Sequence, residues 1–322
     1  MPSAPLALGI DIGGSTTKIG IVDADGHTLT VQRTRSDLGA ESIEGYLQAL
    51  VKISQQVLQD SPSPVTRIGV SLIGAVSEEK GGTVCAVNGP GLQGVDLRTL
   101  LRSSLGLPVW LTNDLTAHAL AEYWFGIGAG SRRFLCLALG TGLGAGVVID
   151  GAPVMHWGGT AGDTGRIILD PTSPATCDGG VHGSAEALCS VAGIERLARE
   201  RYGRHVACPD VIRAAHDGGD PIALGIFRQV GKHLAHLLAI LSVIYFPSDI
   251  ALSGGIAEAG PALLDPCVTE FGALVADYFA LLSSAAPDYF PPIRIRKGLI
   301  GGDAAMIGAA ARALKGGVAA PG

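Results

Sequence analysis

The sequence predicts an α/β protein built from two lobes, and three observations support this prediction. Its 322 residues are enough for two hydrophobic cores. A strand, a glycine-rich turn and a second strand open the chain, and the same order restarts near Arg132. Apolar residues at helical spacing follow in each half, so that strands and helices alternate. The restart also indicates a weak internal duplication.

The first half of the chain predicts a strand meander followed by helices and buried strands. Tight turns rich in Asp and Gly separate three β-branched segments, and apolar residues at helical spacing come next. Asn113 is a residue type that caps a helix after the last of these strands. The predicted strands are Leu6–Asp11, Thr17–Val22, Thr28–Arg33, Arg67–Ile73 and Val109–Thr112, and the predicted helices are Ile43–Leu58 and Leu97–Leu105.

The second half predicts a hairpin and then mainly helices. One strand, Ile250–Ser253, interrupts the helices and runs into Gly254 and Gly255. The predicted helices are Gly183–Arg201, Asp220–Phe246, Pro261–Leu282 and Gly301–Lys315. We expect a small N-terminal lobe of residues 1–115, on which a C-terminal helix of about residues 303–316 packs back, and a large lobe of residues 116–302.

Composition excludes several classes of protein. A hydrophobic fraction of 47% with 16% charged residues is typical of a compact globule rather than a disordered chain. The net charge of −6 and the lack of any Lys/Arg block argue against nucleic-acid binding. The longest apolar run, Leu234–Phe246, is too short to span a bilayer, and no signal peptide is recognisable. Six cysteines without pair spacing indicate reduced thiols, so we expect a cytoplasmic protein that binds no membrane.

Each of the two glycine-rich turns is typical of a phosphate-binding loop. Glycine lets the backbone approach a polyphosphate closely with its N–H groups free. Neither turn has the Gly-Lys-Ser/Thr pattern of phosphate-loop NTPases or the GxGxxG dinucleotide pattern. Only the first turn follows an acidic residue, Asp11, at a strand end. Asp11 is either a turn residue or a carboxylate that holds Mg²⁺ through water.

Asn113 and Asp114 form the candidate catalytic pair. They stand where a strand passes into a helix, near the positive end of the helix dipole. A carboxylate in that position can accept the proton of a substrate hydroxyl that attacks phosphorus. The alternative is that the pair only caps the helix, as most such pairs do.

In this order the motifs resemble the ROK family over almost the whole chain. That family comprises bacterial sugar kinases and related repressors with a two-lobed actin/hexokinase-like fold, a ribonuclease H-like fold with an ATP cleft between the lobes. The motifs that match are Asp11-Ile-Gly-Gly-Ser-Thr-Thr-Lys18, Asn113-Asp114, Leu139-Gly-Thr-Gly-Leu-Gly144, Ser253-Gly-Gly255 and Gly302-Asp-Ala-Ala-Met-Ile-Gly-Ala309.

The resemblance implies a role for each matching residue. It implies Asp114 as the general base and, near ATP, a Mg²⁺ ion at Asp11. The implied nucleotide contacts are Asp11, Gly13, Gly14, Thr16 and Lys18 at the first phosphate site, Gly140, Thr141 and Gly142 at the second, and Gly254 and Gly255 beside adenosine. The implied sugar contacts are Asn113, Glu186 and, less specifically, Gly74, Asn88 and Gly89. It also implies a homodimer.

Two stretches depart from the family pattern of Gly-Glu-x-Gly-His followed by a zinc-binding Cys-x-Cys-Gly-x-x-Gly-Cys-x-Glu. Asp163 and Arg166 stand where the family has the Glu and the zinc-ligating His. Of the four zinc ligands only Cys177 is kept, while Gly179 and Ser184 replace the other cysteines, so we expect no structural zinc. Arg166 is either a substrate ligand or the partner of Asp163 or Glu186 in an ion pair.

These observations predict an ATP-dependent kinase that phosphorylates a hydroxyl of a sugar or sugar-like polyol. Because Asp163 and Arg166 rebuild the end of the pocket that binds C1 and C2, we expect plain glucose to be a poor acceptor. An amino sugar, a modified sugar, a sugar acid or a cyclitol should do better. The alternatives are a glucokinase of ordinary specificity and a non-catalytic ROK-type sugar sensor. The sensors carry an N-terminal DNA-binding domain, whereas here the first phosphate strand starts within ten residues of Met1.

Overall fold

The protein is described by a computed structural model that covers residues 5–156, 158–217 and 219–315. Contacts between residues divide the chain into two compact units. Of the described residues, the first unit comprises 5–129, 152–156, 158–162 and 302–315, and the second comprises 130–151, 163–217 and 219–301. The chain therefore leaves the first unit and returns to it twice.

The first unit contains a five-stranded sheet with the order β3-β2-β1-β4-β7. The strands β1 and β2 form an antiparallel hairpin, β3 continues the meander, and β4 and β7 lie parallel to β1. The strands are β1 (Leu6–Ile12), β2 (Thr16–Val22), β3 (Thr28–Arg35), β4 (Val65–Leu72), a small hairpin of β5 (Ala75–Ser77) and β6 (Gly82–Cys85), β7 (Val109–Asn113) and β10 (Ala152–Pro153). The helices are α1 (Ile43–Gln59), α2 (Leu97–Leu105), α3 (Asp114–Phe125) and α9 (Ala304–Lys315).

Helix α9 packs against the sheet and against α3 at close range because two glycines make room for it. A β-carbon at Gly69 of β4 would overlap the backbone of Ala309 in α9. A β-carbon at Gly308 of α9 would overlap the backbone of Ala117 in α3. The described part of the C-terminal helix thus packs back on the first unit, while residue 316, to which the predicted helix extends, lies outside the described residues.

The second unit contains a sheet with the order β9-β8-β11-β12. The strands are β8 (Arg133–Leu139), β9 (Leu143–Ile149), β11 (Asp249–Ser253) and β12 (Arg294–Lys297), of which β8 and β9 are antiparallel and β8, β11 and β12 parallel. The helices are α4 (Ala185–Cys189), α5 (Val191–Tyr202), α6 (Cys208–Asp217), α7 (Pro221–Tyr245) and α8 (Pro261–Ala285). Both sheets therefore begin with a β-hairpin closed by a glycine-rich turn, as the internal duplication predicted.

Several elements differ from the prediction. The predicted helix Gly183–Arg201 is two helices, because the Ser190 hydroxyl caps a new helix by accepting from the Gly193 N–H at 3.4 Å. The strands β5, β6 and β12 and the helix α6 were not predicted. The predicted division at residue 115 also differs from the observed one, which places α3 in the first unit because α3 packs on α9.

One helix among the described residues, α8, is long and apolar enough to cross a membrane by length and composition alone. A single helix of this kind is weak support for a membrane span. Helix α8 contains Pro266 and packs along α7, where Lys232 and Glu270 form an ion pair at 3.3 Å. Its outer face exposes Leu274, Tyr278 and Leu281.

Candidate active site

The turn between β1 and β2 presents its backbone to solvent. Gly14 and Thr16 are exposed and Gly13 is half-buried, and the Gly13 N–H donates to the Thr16 carbonyl at 3.2 Å. Thr17, directly behind the turn, is fully buried, and its hydroxyl bonds to the Tyr46 hydroxyl at 2.6 Å. The sequence offered no signal for Tyr46, because its contact with Thr17 exists only in the folded unit. The turn is thus exposed to solvent at Gly14 and Thr16 and fixed to the core through Thr17.

Asp11 is the next-to-last residue of β1, close to this turn, and is 7% exposed. Burial raises the pKa of its carboxyl group, and this rise is partly opposed by the Lys18 charge and a hydrogen bond from Ser71. The Ser71 hydroxyl donates to Asp11 Oδ1 at 3.1 Å, and Lys18 Nζ lies 3.6 Å from Oδ2. Ser71 is a second residue that sequence reasoning missed.

Lys18 is engaged by the C-terminal segment of the same unit. Its ammonium group donates to the Gly302 carbonyl and lies 3.9 Å from Asp303 Oδ1. The predicted contact between Lys18 and a phosphate is not tested by this arrangement, which assigns the lysine to charge balance at Asp11.

Asn113 and Asp114 stand at the junction of β7 and α3, as predicted. Asn113 caps the helix, since its Oδ1 accepts from the Leu115 N–H at 2.9 Å. Burial and, next, the negative charge of Asp11 raise the pKa of Asp114 to about 7. Burial lowers the pKa of His118, one turn further along α3, to about 4, with the Lys18 charge adding to the effect. Asp114 is therefore the group on this helix that is poised to exchange a proton near neutral pH.

The structure brings the less specific sugar-loop residues next to these groups. Asn113 Nδ2 donates to the Gly74 carbonyl at 2.8 Å. Asn88 lies against the first glycine turn, since a β-carbon at Gly14 would be 3.6 Å from the Asn88 β-carbon. Gly89 follows Asn88 and is buried. Gly159, which the sequence did not point to, holds α3 in place by accepting from the Thr116 hydroxyl at 2.9 Å.

The turn between β8 and β9 is the counterpart in the second unit. Thr141 and Gly142 are exposed and Gly140 is half-buried, with the Gly140 N–H donating to the Gly142 carbonyl at 3.0 Å. Gly254, at the end of β11, has a φ of 91°, and a β-carbon there would overlap the Leu139 backbone. Gly254 thus packs beside this turn, and the exposed Gly255 follows it.

Of the two roles predicted for Arg166, the geometry favours the ion pair. Its guanidinium group donates to Glu186 Oε1, and its Nε lies 3.6 Å from Asp163 Oδ2. The Asp163 side chain is 74% exposed, whereas that of Glu186 is 13% exposed. The main partner of Arg166 is therefore Glu186, the less exposed of the two carboxylates.

The residues at the family's zinc-binding positions converge in space but do not offer a zinc ligand set. Cys177 is the only thiol there, and its neighbours Ser184, Gly179 and Arg166 supply a hydroxyl, no side chain and a cation. Neutral hydroxyls and guanidinium groups are not typical zinc ligands. Among the described residues, the one group of three or more His, Cys, Asp or Glu side chains within reach of a shared ion is the exposed Asp23, Asp25 and His27. The 177–186 stretch therefore does not suit zinc.

Two sheets, each opened by a glycine-turn hairpin, together with a half-buried Asp at a helix start, are typical of the two-lobed actin/hexokinase-like phosphotransferases. A solved ROK family glucokinase from Streptomyces griseus, in complex with glucose and AMPPNP, matches with a TM-score of 0.79 and 27% identity. The match covers 96% of this chain and 99% of that one.

Sequence comparison narrows the class to a family. Residues 7–315 match the ROK family. The glucokinase of Thermotoga maritima is 31% identical over 279 residues, which is 83% of this chain and 86% of the relative. The glucokinase of Halalkalibacterium halodurans is 30% identical over 319 residues, 94% of this chain and 92% of the relative. The chain belongs to the ROK family, and its enzyme class is that of the carbohydrate kinases.

Proposed function

We propose that this protein transfers the γ-phosphoryl group of ATP to a hydroxyl of a sugar or sugar-like polyol, with Asp114 as the general base. The observation that supports this best is the pKa of about 7 of a carboxyl group at the start of α3. The Asp114 carboxylate accepts the proton of the acceptor hydroxyl while that oxygen forms a bond to the γ-phosphorus. The bond between that phosphorus and the bridging oxygen breaks, and ADP leaves.

Asn113 orients the acceptor in this proposal. A side-chain amide has two N–H donors and one carbonyl acceptor. Its carbonyl caps α3 and one N–H binds the Gly74 carbonyl, which fixes the side chain. The amide also hydrogen-bonds to the Asp114 carboxyl group. An acceptor hydroxyl is therefore oriented by these two side chains together, with Gly74, Asn88 and Gly89 as neighbouring loop positions.

Asp11 suits a magnesium ion held through water. Mg²⁺ prefers oxygen ligands and keeps several of its waters, so one buried carboxylate beside a phosphate turn is a typical protein contribution. When bound, the ion would neutralise charge that develops on the phosphates. In this chain Ser71 and Lys18 hold the Asp11 carboxylate in a fixed direction.

The exposed backbone of both glycine turns supports nucleotide binding. We propose that Gly13, Gly14 and Thr16 in one turn and Gly140, Thr141 and Gly142 in the other bind phosphates, and that Gly254 and Gly255 lie beside adenosine. Lys18 contributes its positive charge at Asp11. The bound AMPPNP of the Streptomyces griseus relative supports ATP as the donor.

We further propose that the preferred acceptor differs from glucose at the end that carries C1 and C2. Asp163 is one methylene shorter than the family's Glu, and its side chain is mostly exposed. Arg166 is paired with Glu186, so the position of the family's His offers a cation that is already neutralised. A site that hydrogen-bonds particular hydroxyls discriminates strongly against an acceptor that leaves its polar groups unpaired.

A coupled assay of ADP release tests this function. The panel contains hexoses, amino sugars, N-acetyl sugars, sugar acids and cyclitols, each with ATP, and kcat/KM is compared. We expect at least one acceptor to exceed glucose clearly. If glucose is best, the proposed preference is wrong while the enzyme class stands, and if no acceptor releases ADP the kinase proposal itself fails.

Exposed apolar side chains of the second unit support a proposal about assembly. Helices α7 and α8 expose large apolar side chains that a monomer leaves in water: Ile240, Val243 and Ile244 on α7 and Val268, Leu274, Tyr278 and Leu281 on α8. We propose a homodimer in the cytoplasm that uses this face. Light scattering of the wild type and of Leu281→Glu tests the dimer, since the charged variant should be monomeric.

A further inference from the structure

Both carboxylate oxygens of Glu186 are occupied within the second unit. Oε2 accepts the backbone N–H of Leu143 at 3.1 Å, at the point where the second glycine turn enters β9. Oε1 accepts from the Arg166 guanidinium group. A β-carbon at Gly142 would come 3.0 Å from Oε2, so the carboxylate lies directly against the turn. Glu186 therefore supports the turn before it contacts any ligand.

The α4–α5 segment grips the turn at a second point. The Val191 N–H, at the start of α5, donates to the Gly140 carbonyl at 3.0 Å. Glu186 on α4 and Val191 on α5 thus hold the two ends of Gly140–Gly142. The strand that follows the turn is held as well. The hydroxyl of Thr164, which stands two residues before Arg166, accepts a hydrogen bond from the Ala145 N–H at 2.8 Å. The turn has little freedom of its own and takes its position from these neighbours.

Arg166 connects this support to the loop that carries the degenerate zinc motif. A β-carbon at Gly179 would be 3.1 Å from Arg166 Nε, so the missing side chain at 179 leaves the space that the guanidinium group occupies. The Cys177 thiol forms a hydrogen bond with Ser184, and the Arg166 charge lowers the pKa of that thiol. The four positions of the family's zinc ligands thus form one cluster with a cation at its centre.

We propose that Glu186, held by Arg166, is a positioning residue for the Gly140–Gly142 turn, and that the Arg166 guanidinium group cross-links this region in place of a metal. The proposal deepens the proposed function, because it assigns the pair to the phosphoryl-donor side of the reaction rather than to the sugar. Removing Arg166 leaves the Glu186 carboxylate without its cationic partner. The carboxylate can then move, and its hydrogen bond from the Leu143 N–H no longer fixes the turn. Binding of the nucleotide suffers first.

The primary test compares Arg166→Ala with Arg132→Ala. Arg132 forms a 3.0 Å ion pair with Asp150 at the other end of the same hairpin, and the side chains of both residues are exposed. Binding of a non-hydrolysable ATP analogue is measured by calorimetry without acceptor, and KM is measured for ATP and for the best acceptor. Residues that share one hydrogen-bond network couple strongly enough for an effect of about tenfold.

The expected result is a roughly tenfold rise in the analogue Kd and in KM for ATP for Arg166→Ala, with KM for the acceptor changed by less than about twofold. Arg132→Ala should match the wild type in both. Arg166→Lys should fall between, because a point charge cannot reproduce the planar fork. A rise in KM for the acceptor with an unchanged analogue Kd overturns the proposal and returns the pair to the sugar. Wild-type values for Arg166→Ala also overturn it.

Two further measurements keep the test independent of folding defects and of the proposed kinase activity. Hydrogen exchange of the Leu143 amide should be about tenfold faster in Arg166→Ala and unchanged in Arg132→Ala, which requires no substrate. In a double-mutant cycle, Gly142→Ala should weaken analogue binding in the wild type but less in Glu186→Ala, where the 3.0 Å obstacle is absent. Additive effects in the cycle and a protected Leu143 amide in Arg166→Ala would overturn the proposal. If the wild type binds no analogue, the proposed function fails, and the exchange measurement still decides the role of the pair.

Discussion

The two glycine turns share a backbone plan but differ in the charges that surround them. The first turn has Asp11 and Lys18 beside it, and its unit holds Asp114 close enough for the charge of Asp11 to raise the pKa of Asp114. At the second turn the carboxylate of Glu186 is neutralised by Arg166 and bonded to the backbone. The first turn is therefore accompanied by two carboxyl groups with raised pKa values, those of Asp11 and Asp114, and the second by a carboxylate that is paired with a cation.

This difference suggests a division of labour within a duplicated plan. In the proposed function, proton transfer needs a carboxyl group whose charge can change near neutral pH, and Asp114, with its pKa of about 7, is such a group in the first unit. In the same proposal, positioning a phosphate needs rigid N–H donors, and the second unit anchors its turn to α4 and α5 by hydrogen bonds.

The largest effect is expected from Asp114→Asn. The amide keeps the shape of the side chain but cannot accept the acceptor's proton, so kcat should fall at least ~100-fold. Binding of an ATP analogue should be nearly unchanged. Asp60→Asn, the same chemical change at an exposed position of the first unit, serves as the control. Near-normal turnover of a folded Asp114→Asn protein would remove the chemical asymmetry between the units.

The same variant should change stability in a pH-dependent way. The folded pKa of Asp114, about 7, lies above its usual value, so between about pH 4 and pH 7 the native state keeps a proton that the unfolded state has lost. Wild-type stability therefore falls as the pH rises through this range. Asp114→Asn should be more stable than the wild type at pH 8, by at most about 4 kcal/mol, with the advantage gone at pH 4. Urea unfolding at both values measures it. An advantage that does not depend on pH would contradict the raised pKa.

The sequence predicted what is local in the two hairpins and missed what holds them. Strand periodicity and glycine turns are local signals, and they placed β1, β2 and the start of β8 within a residue or two. The contacts of Tyr46 with Thr17 and of Ser71 with Asp11 join positions 29 and 60 residues apart, which no local pattern encodes.

The missed strand β12 illustrates a second limit. Its sequence, Arg-Ile-Arg-Lys, has too many charges to be recognised as a buried strand. Arg294 and Arg296 are tolerated there because they pair at 2.8 and 2.9 Å with Asp249, which is fully buried in the neighbouring strand. Arg166 was likewise left with two possible roles, because the sequence alone does not show whether Glu186 is within reach.

A smaller effect should report the cation in the second unit. Burial raises the pKa of the Cys177 thiol, but hydrogen bonds from Ser184 and the Val181 and Gly179 amides, together with the Arg166 charge, shift it below its usual value. In Arg166→Ala the midpoint of the pH dependence of Cys177 alkylation should move upward by less than about one pH unit. Mass spectrometry of the Cys177 peptide follows it, with exposed Cys85 as the internal reference. The midpoint, unlike the rate, does not depend on accessibility, so an unmoved midpoint would place the guanidinium group elsewhere.

The smallest effect is expected from a chelator, because we expect no structural zinc in the second unit. A structural zinc contributes on the order of 10 kcal/mol to folding, so a chelator collapses a region that depends on it. The region around Arg166 should instead be insensitive to chelator and sensitive to salt, because an ion pair between partly exposed groups is screened. Elemental analysis after dialysis should find no retained zinc, and EDTA should leave Tm unchanged.

One equivalent of retained zinc would be located with the variants Cys177→Ser and His27→Ala. Loss in the first variant would mean that Cys177 has recruited ligands and that Arg166 does not replace a metal. Loss in the second would point to the exposed Asp23, Asp25 and His27 cluster and leave the contrast between the two turns intact.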